Sequence, residues 1–244
     1  MGNTTPTHNE SANDRTVVFI TAASQGIVRA IATHLARSST VVLLARSESI
    51  EKIGIELGGL GVRGSVTNEA DLKRLVDVAV GRFGRIDAVV NNTGHPSKGE
   101  LFSLSDADWQ HGYELILGSI IRLARLIMPV MIRQKHGAFL NISSYAAKQP
   151  DLARPVSSVF RAALSAWTRV HAEAGAPHGI RVNSILPGFV DSYPVDENII
   201  DTIPMKRIGR LEELAKAAAF LLSDDASCIT GQNLLMDGGM VRVI

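Results

Sequence analysis

From Thr16 onward, short apolar runs alternate with longer stretches of helical periodicity, and this alternation constrains the fold more than any other feature. The runs TVVFIT, TVVLLA, a weaker one near Val62, IDAVVNN, GAFLNIS, GIRVNSILP and NLLMDGG read as seven strands. Between them lie a helix from Gly26, a short helix after the second run, and a helix through Val80. A long helix from Trp109 to Met131 follows, then one around Ala162 to Ala174 and one over Leu211 to Leu222. Strands apolar on both faces and separated by helices fit a buried parallel sheet, because each crossover lays a helix over a face. The expected fold class is therefore α/β, a doubly wound parallel sheet of seven strands with helices on both faces. In such a sheet a ligand binds at the carboxyl ends of the strands, beside the point where strand order reverses.

No internal repeat, low-complexity block or Pro/Gly-rich linker interrupts Arg15 to Ile244, so one domain is expected over 15–244. Residues 1–14, rich in Asn, Thr and Ser and without an apolar run, read as a disordered tail and not as a signal peptide. The 25 Lys and Arg nearly balance the 24 Asp and Glu, and no basic run stands out, so neither nucleic acid nor membrane partners are expected. The apolar stretch Ile116 to Met131 is interrupted by Arg122, Arg125 and Pro129 and reads as a buried helix, too polar for a membrane span. Because the long helix is apolar on nearly every face, it suggests a homodimer or homotetramer through the central helices, with burial inside the monomer as the competing reading. The single cysteine, Cys228, excludes an internal disulfide, reads as a small core residue, and fits a reducing, cytoplasmic setting. The seven histidines are scattered with no His-x-x-x-His or Cys-x-x-Cys pair, so no metal site is expected.

The first strand runs into Thr21-Ala22-Ala23-Ser24-Gln25-Gly26-Ile27-Val28, a small-residue turn opening a helix whose free N–H groups and dipole suit a pyrophosphate. Downstream, in order, come Asn91-Asn92-Thr93-Gly94, Pro187-Gly188, Ile229-Thr230-Gly231-Gln232 and Asp237-Gly238-Gly239. The set resembles the short-chain dehydrogenase/reductase family over about Arg15 to Ile244, in that family's order and spacing. The resemblance implies a Rossmann-type sheet holding a dinucleotide at Thr21, Ala22, Ser24, Gln25, Gly26, Ile27, Arg46, Ser47, Ser65, Val66, Asn92, Gly94, Arg161, Pro187, Gly188 and Val190. The family loop reads Thr-Gly-x-x-x-Gly-Ile-Gly, so Ala22 and Val28 replace its first and third glycines, and Ser65 stands where an Asp near the adenine is usual. Ala22 is a mild change if its backbone angles stay in an allowed region. Val28 is expected to move the helix or narrow the cleft. Arg46 beside Ser47, with no carboxylate at the end of the second strand, favours NADP(H) over NAD(H) through a clamp on the 2′-phosphate. The competing reading of Arg46 is an ordinary solvated charge.

By the same resemblance the catalytic serine is Ser144, while the tyrosine, lysine and asparagine positions hold Ser157, Arg161 and Ile116. The Tyr-x-x-x-Lys pair is therefore lacking. Ser157 is too short and too weak an acid to replace a tyrosine, and Arg161 keeps a charge without passing a proton. Tyr145 is the first candidate for a substitute donor, ahead of Tyr193 and His95, against the reading that it only packs. Such a site suits an imine or iminium, an activated enone, or a carbonyl of a small organic molecule, since the first two need less acid assistance. The leading expectation is an atypical NADPH-dependent reductase. A catalytically retired binding or structural subunit, and a non-redox lyase or isomerase, remain the alternatives. The loops His95 to Leu101 and Asp191 to Ile203 carry no readable substrate signature, and the brevity of the second points to a shallow pocket.

Overall fold

All seven apolar runs are strands in the computed structural model, which describes residues 15–242; the expected tail over 1–14 lies outside the described residues. They are β1 (Val17–Thr21), β2 (Thr40–Ala45), β3 (Leu60–Arg63), β4 (Ala88–Asn91), β5 (Gly137–Ile142), β6 (Ile180–Pro187) and β7 (Asn233–Met236). Every pairing is parallel and the order is β3-β2-β1-β4-β5-β6-β7. β1, β2, β4 and β5 are buried along their whole length, whereas β3 and β7 form the partly exposed edges. The weak apolar character of the run near Val62 is thus the mark of an edge position.

Two apolar layers sandwich the sheet. On one face pack α1 (Gly26–Leu35), α2 (Ser49–Glu56) and, from the far end of the chain, α8 (Leu211–Leu222), through Ile31, Ile50 and Leu221. On the other lie α3 (Glu69–Phe83), α5 (Ser119–Gln134) and α6 (Pro155–Gly175), through Leu72, Leu123, Ile127 and Ala172. Strand order reverses between β1 and β4, so the loops leaving these two strands part there and open a crevice.

The long helix departs from expectation in two ways. It is α4 (Asp106–Tyr113) and α5 joined by a π-helical turn over Glu114–Gly118, where the Ser119 hydroxyl donates to the Leu115 carbonyl at 2.8 Å. Nor is it apolar all round: Ile120, Leu123, Ile127 and Met131 face the sheet, while Arg125, Pro129 and Arg133 are exposed. Asp106–Gln134 is long and apolar enough to cross a membrane by length and composition alone, a test that the core helix of a folded domain also passes. Its inner face is spent on the core. Cys228 is exposed and not a core residue; the buried residue nearby is Ala226, which ends the turn Asp224–Ala226. The stretch Asp191 to Ile203 carries an unanticipated short helix, α7 (Glu197–Thr202).

Candidate active site

Between β1 and β4 the crevice is closed at its base by one side chain. Thr21 Oγ1 donates to the Asn92 carbonyl and accepts from the Asn92 amide, both at 2.8 Å. Beyond it the turn leads to α1, whose N-cap residue Gln25 makes no side-chain capping bond, so the first-turn N–H groups face the crevice without a protein acceptor from that position. Ala22 has φ +54°, in the left-handed region, so its methyl group is not the mild replacement expected of it. Gly26 has φ +63°, and a side chain there would approach Ser192 on the loop after β6. Ser24 is half-buried, and Ile27 packs against the core. Val28 is buried in the same apolar cluster as Ile20, Ile31 and Val90 on the α1 face of the sheet.

After β2, Arg46 is exposed and has no hydrogen-bond or ion-pair partner among the described residues, while the Ser47 hydroxyl pairs with that of Ser49 at 2.7 Å. Past β3, the Ser65 amide donates to Asp71 at 2.9 Å and its hydroxyl pairs with Thr67; Val66 is half-buried beside them. Asn92 and Gly94 leave β4, and Pro187 ends β6. Gly188 is fixed by close approach, since a Cβ would lie 2.8 Å from Asp237 Cα, and Val190 is buried against Gly209. These residues lie at or just past the carboxyl ends of β1, β2, β3, β4 and β6. The uncapped helix start, the small turn and the unpartnered Arg46 fit a dinucleotide carrying a third phosphate. Among the described residues no three His, Cys, Asp or Glu side chains gather to hold a metal ion.

The chemistry-bearing residues converge past β5. Ser144 caps a short turn, Tyr145–Ala147, by accepting from the Ala146 amide at 3.2 Å, and its own hydroxyl proton is uncommitted among the described residues. Ser157 lies half-buried on the first turn of α6, which starts at Pro155, a residue suited to a helix start. One turn later Arg161 is buried, 4% exposed, with Nη1 donating to the Ile142 carbonyl at 2.9 Å. Burial pulls its pKa down to about 10 and no carboxylate opposes this, yet at neutral pH it stays charged. Nη1 makes the only hydrogen bond of this guanidinium among the described residues. Partial desolvation, and then the charges of Arg161, Lys98 and Arg154, hold His95 below its ordinary pKa, so it is neutral at pH 7.

Tyr145 is engaged elsewhere. Its hydroxyl donates to Asp151 at 3.2 Å and accepts from Arg154 at 3.0 Å, and desolvation leads the causes that raise its pKa. The phenol proton is therefore aimed at a carboxylate and is harder to release. Tyr193 is exposed on the loop after β6. Ile116, in the π-helical turn, is fully buried with Ile120 and Leu164. Sequence reasoning missed Asp151 and Arg154, which fix Tyr145, and Ser158, whose hydroxyl accepts from the Asp151 amide at 2.9 Å and latches that loop to α6. No spacing in the sequence announces these contacts.

A family model described as enoyl-(acyl carrier protein) reductase matches residues 21–241. The 3-oxoacyl-(acyl-carrier-protein) reductase FabG of Escherichia coli is 33% identical over 238 residues, covering 93% of this chain and 98% of that protein. Its counterpart from Thermotoga maritima is 29% identical, covering 92% and 97%. Among solved structures, YwfH, an NADPH-dependent reductase involved in bacilysin biosynthesis, superposes with a TM-score of 0.90 at 27% identity, covering 95% of this chain and 100% of that one.

Proposed function

Because the chain belongs to the short-chain dehydrogenase/reductase family, we propose that it is an NADPH-dependent reductase of a small organic electrophile. The observation that supports this most is Arg161: a buried guanidinium with no counter-ion, anchored at the carboxyl end of β5 two residues before Ser144. Leaving a cation buried without a partner is costly unless a ligand completes its surroundings. Our reading keeps Ser157 and Arg161 at the family's tyrosine and lysine positions, so the proton relay is absent and electrostatic stabilisation takes its place.

When bound, NADPH would supply a hydride. Thr21, Ala22, Ser24, Gln25, Gly26 and Ile27 would hold its pyrophosphate, Arg46 and Ser47 its 2′-phosphate, and Ser65, Val66, Asn92, Gly94, Pro187, Gly188 and Val190 the remaining walls. Ser144 donates a hydrogen bond from its free hydroxyl to the substrate oxygen and keeps its proton. Arg161 stabilises negative charge that builds on that oxygen, and a fixed cation in a desolvated site does this without reorganising. In a conjugated enone the β-carbon accepts the hydride, the carbon–carbon π electrons move toward oxygen, and the α-carbon later takes a proton from water. No strong side-chain acid is required at the moment of transfer. An iminium suits a site without an acid for a related reason, although Arg161 opposes its charge, which favours the enone.

The test is direct. NADPH at a hundred times its dissociation constant should stabilise the protein by about 2.7 kcal/mol, and no shift with either NADPH or NADH sinks the reading. With NADPH bound, cyclohexenone should be reduced faster than cyclohexanone; equal rates would remove the enone preference. We further propose a homodimer or homotetramer through α5 and α6. Supporting this, Val159 and Val170 of α6 are exposed and Trp167 Nε1 and Arg122 Nη1 lie buried without partners. Light scattering that finds a monomer rejects it. A cytoplasmic setting belongs to the same proposal, on the ground that Cys228 has no second cysteine to pair with.

A further inference from the structure

Beside the Ser144 turn lies a second space. A cavity of about 450 Å³ opens between the loop after β5 and the end of the chain, lined on one side by Tyr145, Pro150 and Leu152 and on the other by Thr202, Met240 and Arg242. Its volume falls in the range of small-molecule sites, and its wall begins one residue past Ser144.

The far wall is held in place by the turn after β7. Asp237 accepts from the Gly239 amide at 2.9 Å and from the Val241 amide at 2.8 Å, which folds the last described residues back toward the β5 loop. Gly238 adopts φ +68°, and a side chain there would come within 2.7 Å of the buried Ile203, so the turn admits little but glycine. Met240 and Arg242 are thus presented by a fixed turn.

The two charged side chains that line the cavity, Asp151 and Arg242, differ in what they meet among the described residues. Asp151 is fully engaged, one carboxylate oxygen accepting from the Ala153 amide at 2.9 Å and the other from Tyr145 and Arg154. Arg154 neutralises it. Arg242 has no hydrogen bond or ion pair among the described residues, and Arg161 behind Ser144 is likewise without a carboxylate. Pro150, Leu152 and Met240 add apolar wall, while Gln149, Asp151 and Thr202, whose hydroxyl donates to the Ile199 carbonyl, keep the lining mostly polar. A mostly polar space beside an arginine with no partner among the described residues suits a molecule that carries a carboxylate, because guanidinium and carboxylate match in charge and in two-point geometry.

We propose that this cavity is the substrate subsite, that it selects a small carboxylate-bearing substrate, and that Arg242 is the residue that reads the carboxylate. The inference names the substrate class for the reductase reading and rests on that reading for the chemistry that follows binding. The test uses the full chain and a matched pair, 4-oxo-4-phenylbutanoate and its methyl ester, titrated by calorimetry with and without saturating NADP⁺. The acid should bind at least about tenfold tighter than the ester. Arg242→Gln should abolish that preference by weakening the acid alone, and Arg242→Lys should keep part of it; thermal melts of both variants should match the parent, since Arg242 is exposed. Equal binding of acid and ester, binding of neither, or an acid preference that survives Arg242→Gln overturns the proposal. A parallel NADPH titration separates the two readings. If NADPH fails to bind but the acid preference persists without cofactor, the reductase reading falls and the carboxylate site stands.

Discussion

His171 gives the sharpest test of the packing around α6. Its ring lies 4.7 Å from that of Phe139 and 5.3 Å from that of Trp167, it is 5% exposed, and its Nε2 is buried without a partner. Desolvation lowers its pKa from 6.5 to about 4. In the folded state the ring therefore stays neutral where the unfolded chain would take up a proton. Above the unfolded pKa both states are neutral and the stability is fully present; it is lost as pH falls from 6.5 toward the folded value. At about 1.36 kcal/mol per pKa unit, the difference of 2.5 units amounts to roughly 3 kcal/mol, most of it between about pH 7 and 4.5. For a chain of this length that corresponds to a fall of roughly 6–12 °C in Tm. Because carboxylates titrate in the same window, the measurement is the difference between the parent and His171→Leu in urea unfolding, at fixed protein concentration, from pH 7.5 to 4.5. The variant should lose less stability on acidification, by roughly 2 to 3 kcal/mol. Parallel curves would refute the reasoning and mean that the imidazole is accessible to protons in the native state.

Other outcomes follow from particular residues. Ala22→Gly relieves a left-handed alanine worth about 1–2 kcal/mol, against about 0.4–1 kcal/mol of added freedom in the unfolded chain, so urea unfolding should show a small gain; a loss would mean that Ala22 is not strained. Val28→Gly should cost roughly 3 kcal/mol, from the lost burial of a valine plus the helix penalty of glycine, without tightening NADPH; tighter NADPH would restore the view that Val28 narrows the crevice. Arg161→Met should lower the rate of enone reduction by about 10²–10³, as losing an oxyanion-stabilising donor does; an unchanged rate in single turnover excludes that role. Tyr145→Phe should slow turnover by less than the roughly hundredfold expected for a lost general acid, and a larger fall would make Tyr145 the proton donor after all.

The inner strands were legible because they are buried on both faces, and only continuous apolar runs satisfy that; the weaker run at Val62 turned out to be an edge strand. Helix interiors were less so. The π-helical turn at Glu114–Gly118 leaves no periodic trace, and Arg125 and Pro129 read as interruptions until the sheet showed which way each one faces. At the site, the order of motifs pointed to Ser144, Ser157 and Arg161, and the structure puts the first just past β5 and the other two one turn apart on α6. What Tyr145 does depends on Asp151 and Arg154, which a loop brings back against the start of α6. Likewise, Ala22 and Val28 look alike as losses of glycine, but one carries backbone strain and the other fills core, and only φ and burial separate them.

The Thr21 hydroxyl that bonds both the amide and the carbonyl of Asn92 behaves like one more rung of the β1–β4 ladder, made by a side chain after the backbones have begun to part. Its consequence is mechanical: the seam between the two halves of the sheet has a fixed stopping point. The loops above it can spread without unzipping the strands below. A valine has the same shape but neither a donor nor an acceptor, so at this position the Asn92 amide and carbonyl would lose both bonds and the seam would end at the backbone ladder below.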